Sequence, residues 1–189
     1  MSAQGFGKLP FSEILRKMSL KAIAFDVGHT LIDERIDAAS FVEPVQLMPH
    51  VLEVLPQIDF PMAAWSNTKS AREKEVRQLL RAAGIEHFFT WVTTSIDAES
   101  RKPNREFFDF ALENCGFSAD EVLFVGNQLS IDVYGGLQCG IRTVWISGEP
   151  HRSPDETMAR ADICPDFEII SLQELPALIR TLERFQGSL

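Results

Sequence analysis

The chain has 189 residues, of which 45% are hydrophobic and 24% are charged, as in an ordinary single globular domain. This composition excludes long disorder, a collagen-like repeat and a disulfide scaffold. Lys and Arg number 18 and Asp and Glu number 27, so the formal net charge is −9. Such an acidic chain is a poor match to a polyanion, and we expect it to bind neither nucleic acid nor an anionic membrane.

The three cysteines, Cys115, Cys139 and Cys164, lie far apart and lack the short paired spacings of zinc sites. We therefore expect a reducing, cytoplasmic environment. The sequence shows neither a secretory signal nor a run of about 18 apolar residues, so no membrane span is expected.

Residues 1–20 are predicted to be an extension ahead of a main domain at residues 21–189. Phe11, Ile14, Leu15 and Met18 have the spacing of a short amphipathic helix. The alternative is that this segment is only an upstream start and that the natural chain begins at Met18.

From residue 22 onward, short apolar runs alternate with longer segments that have the period of a helix. The runs predict buried strands at residues 22–25, 62–65, 91–94, 122–125, 143–146 and, at the edge, 166–170. The segments predict helices at residues 49–57, 70–83, 104–115, 132–139 and 172–185, and a further short helix capped at Ser153. This alternation predicts an α/β fold, a doubly wound Rossmann-like parallel sheet of five to six strands.

The ends of the predicted helices have their own signals. Ser70 and Glu73 form a capping box, and Gly84 follows as a stop. Pro103 stands where the next helix begins, and Gly116 where it ends.

Polar residues follow the predicted strands. Asp26, Ser66 and Asp132 come after three of them, and Lys102 precedes a helix. In an open α/β sheet, ligands bind outside the carboxyl ends of the strands, so we expect these four side chains to meet in one crevice.

These pieces resemble the motifs of the haloacid dehalogenase (HAD) superfamily, in order and in place, from residue 21 to about residue 183. The matching segments read AFDVGHTLID, MAAWSNT, RKPNREFF and VLFVGNQLSIDVYGGLQCGIRTVWI. The resemblance implies a phosphatase in which Asp26 is the nucleophile and forms an aspartyl-phosphate ester. It implies that Lys102 neutralises charge and that Thr30, Ser66 and Asn67 bind the substrate.

The resemblance also implies a Mg²⁺ cofactor, held by Asp26, Asp132, Asn127 and the main-chain carbonyl of Gly28. For these residues the alternatives are structural: Asp26 as a turn carboxylate and Asp132 as a helix cap. Lys102 would then be a solvated lysine.

Two positions depart from the family pattern. Gly28 replaces the second aspartate, which serves as general acid and base, and Asn127 replaces the first acidic residue of the fourth motif. A missing acid lowers a rate by typically about 10² to 10⁴, so slow turnover is expected. His29 is a candidate substitute acid or base, although a loop histidine pointing away from the site is the alternative; Asp33 and Glu34 lie further on.

The intervals at residues 32–48 and 68–101 are too short for a separate cap domain. An open site predicts a bulky phosphorylated substrate, or a second subunit as a lid in a homo-oligomer. Two other functions stay open: carbon–halogen hydrolysis, against which Asp132 and the missing cap argue, and a binding protein with a vestigial nucleophile, as Gly28 and Asn127 suggest.

Overall fold

A computed structural model describes residues 19–33, 45–148 and 163–186 of the chain. These residues form one sheet of six parallel strands in the order β3-β2-β1-β4-β5-β6, which confirms the predicted doubly wound fold. The strands are β1 (Ala22–Asp26), β2 (Met62–Ser66), β3 (Phe89–Thr94), β4 (Val122–Gly126), β5 (Arg142–Ile146) and β6 (Phe167–Ile169).

Helices cover both faces of the sheet. In chain order they are α1 (Val51–Val54), α2 (Glu73–Ala82), α3 (Arg105–Cys115), α4 (Tyr134–Gln138) and α5 (Leu175–Gln186). Short 3₁₀ turns at Leu55–Gln57 and Leu172–Glu174 continue α1 and precede α5. In the part of the chain that is described, every helix is too short or too polar to cross a bilayer.

The two faces of the sheet pack into separate cores because side chains alternate along each strand. Ile23 and Phe25 of β1 belong to the larger core, beneath α1, α2 and α5. Ala22 and Ala24 belong to the other core, together with the aromatic side chains Trp65, Phe107, Phe108 and Phe124. Small strand residues on this face leave room for the large rings.

The capping box predicted at Ser70 is wrong, because α2 begins three residues later, at Glu73. The Glu75 side chain accepts the Arg72 N–H at 3.0 Å, and the Asp97 carboxylate accepts the Glu73 N–H at 2.7 Å. A carboxylate from a distant loop thus caps the helix. The stop at Gly84 and the end at Gly116 are confirmed, both with a positive φ, of 76° and 74°.

The predicted helix at residues 132–139 is also different. A π-helical turn at Leu129–Val133 comes first, in which the Val133 N–H donates to the Gln128 carbonyl five residues back. The helix α4 then has only five residues. A side-chain bond shapes this turn, since Asp132 Oδ2 accepts the Gln128 N–H at 3.0 Å.

The predicted helices before residue 19 and at Ser153 lie outside the described residues. Between β2 and β3 the chain forms only α2 and a 3₁₀ turn at Glu86–Phe88, and between β1 and β2 residues 34–44 are outside the description. The domain division and the absence of a cap stay predictions.

Candidate active site

The carboxyl ends of the central strands form one edge at which the predicted site residues meet. Asp26 is the last residue of β1, Ser66 is the last residue of β2, and Asp132 lies in the π turn after β4. Lys102 arrives from the loop before α3. The sheet order places β1 between β2 and β4, which brings the residues that follow these strands together.

Lys102 is the centre of this cluster. Its Nζ donates to Asp26 Oδ1 at 2.6 Å, to Asp132 Oδ1 at 2.7 Å and to the Trp65 carbonyl at 3.0 Å. The ammonium also lies 5.3 Å from the centre of the Phe124 ring. Lys102 is 2% exposed, which argues against a solvated surface lysine.

The charges of this cluster shift one another's pKa. Burial alone would lower the pKa of Lys102, but the adjacent Asp132 and Asp26 carboxylates outweigh it and raise that pKa. Burial and the charge of Asp26 raise the pKa of Asp132 to about 6, although Lys102 opposes this. Two carboxylates share one ammonium, so the cluster has an excess of negative charge when both are ionised.

Thr30 joins the first and fourth motifs. Its hydroxyl lies 3.1 Å from Asp26 Oδ2 and 3.3 Å from Asn127 Oδ1, and its single proton can be donated to one of them at a time. The main-chain carbonyl of Asn127 accepts the Trp145 Nε1–H at 3.0 Å, which holds this loop against β5. Oxygens from two distant motifs thus converge on one hydroxyl.

Gly126 is required here because Asp132 approaches it closely. A Cβ at Gly126 would lie 2.5 Å from the Asp132 Cβ and 2.6 Å from its Oδ2. Any larger residue would displace the carboxylate that binds Lys102. Sequence reasoning did not single out Gly126, although its place directly before Asn127 is a signal.

Ser66 and Asn67 differ in how they are used. Ser66 is 4% exposed, and its hydroxyl makes no hydrogen bond to any other described residue. It is therefore available to a ligand at this edge. Both ends of the Asn67 amide, in contrast, bind the main chain of Lys102, at 2.9 Å each. Sequence reasoning named Asn67 for the substrate and missed this contact.

The loop after β1 has no acidic side chain at the position of the family's second aspartate. Gly28 pairs with Ile32 in an isolated bridge, and the residue with a positive φ in this loop is His29, at 56°. His29 Nδ1 lies 3.9 Å from Asp33 Oδ1, and Asp33 is buried. The role of His29 as a substitute acid stays a prediction, and Glu34 lies outside the described residues.

The chemistry of the donor atoms fits a magnesium ion. The side chains near Lys102 offer carboxylate oxygens from Asp26 and Asp132 and a carboxamide oxygen from Asn127, which are hard ligands. No group of three or more His, Cys, Asp or Glu side chains suited to a metal ion occurs in residues 19–33, 45–148 and 163–186. Magnesium needs no such group, since it commonly binds one or two carboxylates and keeps several waters.

Comparison with known proteins gives one family and several relatives. Residues 9–146 match the model of the haloacid dehalogenase-like hydrolase family. The chain is 25% identical over 173 residues to the putative HAD-hydrolase YfnB of Bacillus subtilis, covering 89% of this chain and 70% of YfnB. It is 31% identical over 101 residues to the pyrimidine 5'-nucleotidase YjjG of Escherichia coli, covering 53% of this chain. That match spans only 42% of YjjG, less than half of its length.

Solved structures share the fold. An uncharacterized protein from Listeria monocytogenes serotype 4b superposes with a TM-score of 0.74 at 24% identity, covering 87% of this chain and 99% of the other. The structure of YfnB bound to magnesium has a TM-score of 0.65 at 19% identity, with 84% and 98% covered. The matched residues include all four motifs at the carboxyl edge of the sheet, and the chain belongs to the haloacid dehalogenase-like hydrolase family.

Proposed function

We propose that this protein is a phosphomonoester phosphatase in which the Asp26 carboxylate is the nucleophile. The observation that supports this most is the Lys102 ammonium, buried and bound to both Asp26 and Asp132. A buried cation beside the nucleophile stabilises the negative charge of the phosphoryl group during its transfer. The pyrimidine nucleotidase among the relatives acts on a phosphate ester, which agrees with this reaction class.

The reaction has two displacements at phosphorus. An Asp26 oxygen forms a bond to phosphorus while the bond from phosphorus to the ester oxygen breaks, and the alcohol leaves after it takes a proton. A water oxygen then forms a bond to phosphorus while the bond from phosphorus to the Asp26 oxygen breaks, and the water gives up a proton to the solvent. Inorganic phosphate leaves, and the Asp26 carboxylate is restored. We expect Lys102 and the Ser66 hydroxyl to stabilise charge on the phosphoryl oxygens.

Mg²⁺ would be held by oxygen atoms of Asp26, Asp132, Asn127 and the main-chain carbonyl of Gly28. When bound, the ion would supply positive charge next to the transferring phosphoryl group. The negative charge that Lys102 leaves uncompensated is what a divalent cation would balance. Asn127 has no charge, so we expect magnesium to bind more weakly than in a site with a third carboxylate.

The site lacks a side chain at position 28 that could donate a proton to the leaving alcohol. Gly28 has no side chain to donate it, so esters of acidic alcohols should react well and esters of ordinary alcohols slowly. We propose a bulky phosphorylated substrate for the open edge, with a second copy of the chain as an alternative lid. The three cysteines are all free, which agrees with the proposed cytoplasmic location.

A binding protein without turnover is the second candidate. Gly28 and Asn127 favour it, because two groups that phosphatases of the superfamily use are replaced together. Dehalogenation is disfavoured because this edge brings the Asp132 carboxylate and the Asn127 carboxamide close to Asp26, whereas a small haloacid needs an enclosed apolar pocket.

The decisive experiment is phosphate release from para-nitrophenyl phosphate, with and without Mg²⁺, by the wild type and by Asp26→Asn. We expect activity that requires magnesium and falls at least a hundredfold in Asp26→Asn, because an amide is a far poorer nucleophile. Asp59→Asn is the matched control: Asp59 is exposed before β2, at the opposite edge of the sheet.

Unchanged activity in Asp26→Asn would show that another group, or a contaminant, hydrolyses the ester. A wild type without turnover that still binds inorganic phosphate at this edge would favour the binding protein instead.

A further inference from the structure

Lys102 is held at both ends by residues at the end of β2 and directly after it. Its ammonium donates to the carbonyl of Trp65, and its main chain is bound by the side chain of Asn67. Between them in sequence lies Ser66, the last residue of β2.

The side-chain amide of Asn67 and the main chain of Lys102 form a reciprocal pair of hydrogen bonds, as the main chains of two neighbouring strands do. The Lys102 N–H donates to Asn67 Oδ1, and Asn67 Nδ2 donates to the Lys102 carbonyl, each at 2.9 Å. The pair joins residues that lie 35 positions apart in sequence. It therefore sets where the loop before α3 begins its approach to Asp26.

A second contact joins the same region without touching Lys102. The Ser95 hydroxyl accepts the Thr68 N–H at 2.9 Å and donates to the Thr68 carbonyl at 3.0 Å. The chain thus has two similar two-bond bridges from the segment after β2. Only the Asn67 bridge reaches the lysine.

We propose that Asn67 is a positioning residue, which holds the Lys102 main chain so that the ammonium reaches Asp26 and Asp132, and is not primarily a substrate contact. This inference rests on the proposed phosphatase function. It assigns the second motif two tasks: the Ser66 hydroxyl binds the phosphoryl group, as proposed above, and Asn67 fixes the main chain that carries the Lys102 ammonium. The expected defect of an Asn67 variant is mainly in kcat, because a displaced Lys102 ammonium stabilises less of the charge that develops on the phosphoryl oxygens in the transition state.

The test compares Asn67→Ala with Ser95→Ala, which loses the same number of hydrogen bonds from the same segment. With para-nitrophenyl phosphate and Mg²⁺, we expect kcat to fall at least tenfold in Asn67→Ala while KM changes less than twofold. Ser95→Ala should keep kcat within twofold. Thermal unfolding of both variants shows whether their stability losses match.

Hydrogen exchange of the Lys102 amide gives a readout that does not need turnover. Its rate should rise at least tenfold in Asn67→Ala relative to Ser95→Ala, because the Asn67 acceptor is gone. An unchanged rate would overturn the inference even in an inactive protein, whereas missing wild-type activity alone would overturn the proposed function. A rise in KM with unchanged kcat would show a substrate contact, and an equal kcat loss in Ser95→Ala would assign the effect to general loop rigidity; either result overturns the positioning role.

Discussion

At the scale of single residues, Gly28 separates this protein from the phosphatases that its motifs resemble. The carbonyl of residue 28 is present in any amino acid, but a carboxyl group is not. The strained backbone in this loop is at His29, with φ 56°, and Gly28 instead pairs with Ile32. Because residue 28 does not have a positive φ, backbone strain does not oppose a side chain there. What matters at this position is whether the side chain can transfer a proton.

Gly28→Asp should raise the turnover of substrates with poor leaving groups, because a carboxylic acid can protonate the departing alcohol. General acid–base catalysis contributes about 10² to 10⁴ in rate, so a gain of at least tenfold is expected with an alkyl phosphate. An activated aryl phosphate should gain much less, since its leaving group needs no proton. The measurement is kcat for both ester types.

Gly28→Asn is the control, since it has nearly the same size and shape but no acid. If Gly28→Asp folds as stably as the parent and shows no gain that depends on the leaving group, another group already supplies the proton. His29→Asn would then test whether that group is the imidazole, because asparagine tolerates the positive φ at this position.

At the scale of elements, the start of α2 depends on a residue outside the helix. Asp97, in the segment after β3, accepts hydrogen bonds from the Glu73 N–H at 2.7 Å, the Thr94 hydroxyl at 2.6 Å and Arg72 Nη1 at 3.1 Å. The carboxylate therefore accepts a hydrogen bond from a helix N–H that has no partner within the helix. Its negative charge also interacts favourably with the positive end of the helix dipole. It also ties the segment before α2 to the one after β3.

Asp97→Ala should lower the free energy of unfolding by about 1 to 2 kcal/mol at pH 7, as for the loss of other helix caps. Burial would raise the pKa of Asp97, but the hydrogen bonds from Thr94, Glu73 and Arg72 outweigh it and lower that pKa below 3.8. A carboxyl group with a lowered pKa stabilises the fold at pH values above the pKa that the group has in the unfolded chain. This stabilisation is lost as the pH falls through the pKa of the group in the folded protein. The difference between wild type and variant should therefore shrink below pH 3.8.

Urea unfolding at several pH values measures this effect. Asp109→Ala is the control, since Asp109 makes an exposed ion pair with Arg105 within α3 and should change stability by less than about 0.5 kcal/mol. A cost for Asp97→Ala that is equal at pH 7 and below pH 3.8 would contradict the capping role.

At the scale of the whole molecule, one sheet supports both hydrophobic cores. β1 supplies Ile23 and Phe25 to one core and Ala22 and Ala24 to the other, and it pairs with β2 and β4. Neither core can open without exposing the other face of the same strands. The described part of the protein should therefore unfold in one step.

Tryptophan fluorescence and far-UV circular dichroism should give the same midpoint in urea. Trp65 and Trp91 report on the second core and Trp145 on a small cluster with Leu129 and Val133, while circular dichroism also follows α2 and α5 on the other face. Val76→Ala, a cavity in the larger core, should shift both midpoints together. Two separate midpoints would show that the faces unfold independently.

The fold was predictable from the sequence because its signals are local. Short apolar runs mark strands buried on both faces, and Gly84 and Gly116 mark helix ends through the positive φ that they adopt. The order of Asp26, Ser66, Lys102 and Asp132 along the chain, together with the rule for parallel sheets, also predicted that these residues meet. Their catalytic roles stay predictions.

Contacts between distant segments were decided only by the tertiary structure. The cap of α2 by Asp97 and the binding of Lys102 by Asn67 depend on how the segments after β2 and β3 lie against each other, and no local pattern encodes that. The sequence by itself determined which elements form and which polar residues stand at the strand ends, because burial and backbone preference act within a few residues. The tertiary structure decided what each of those residues touches, because a hydrogen bond depends on distances of a few tenths of an ångström between groups that the chain brings together only when it is folded.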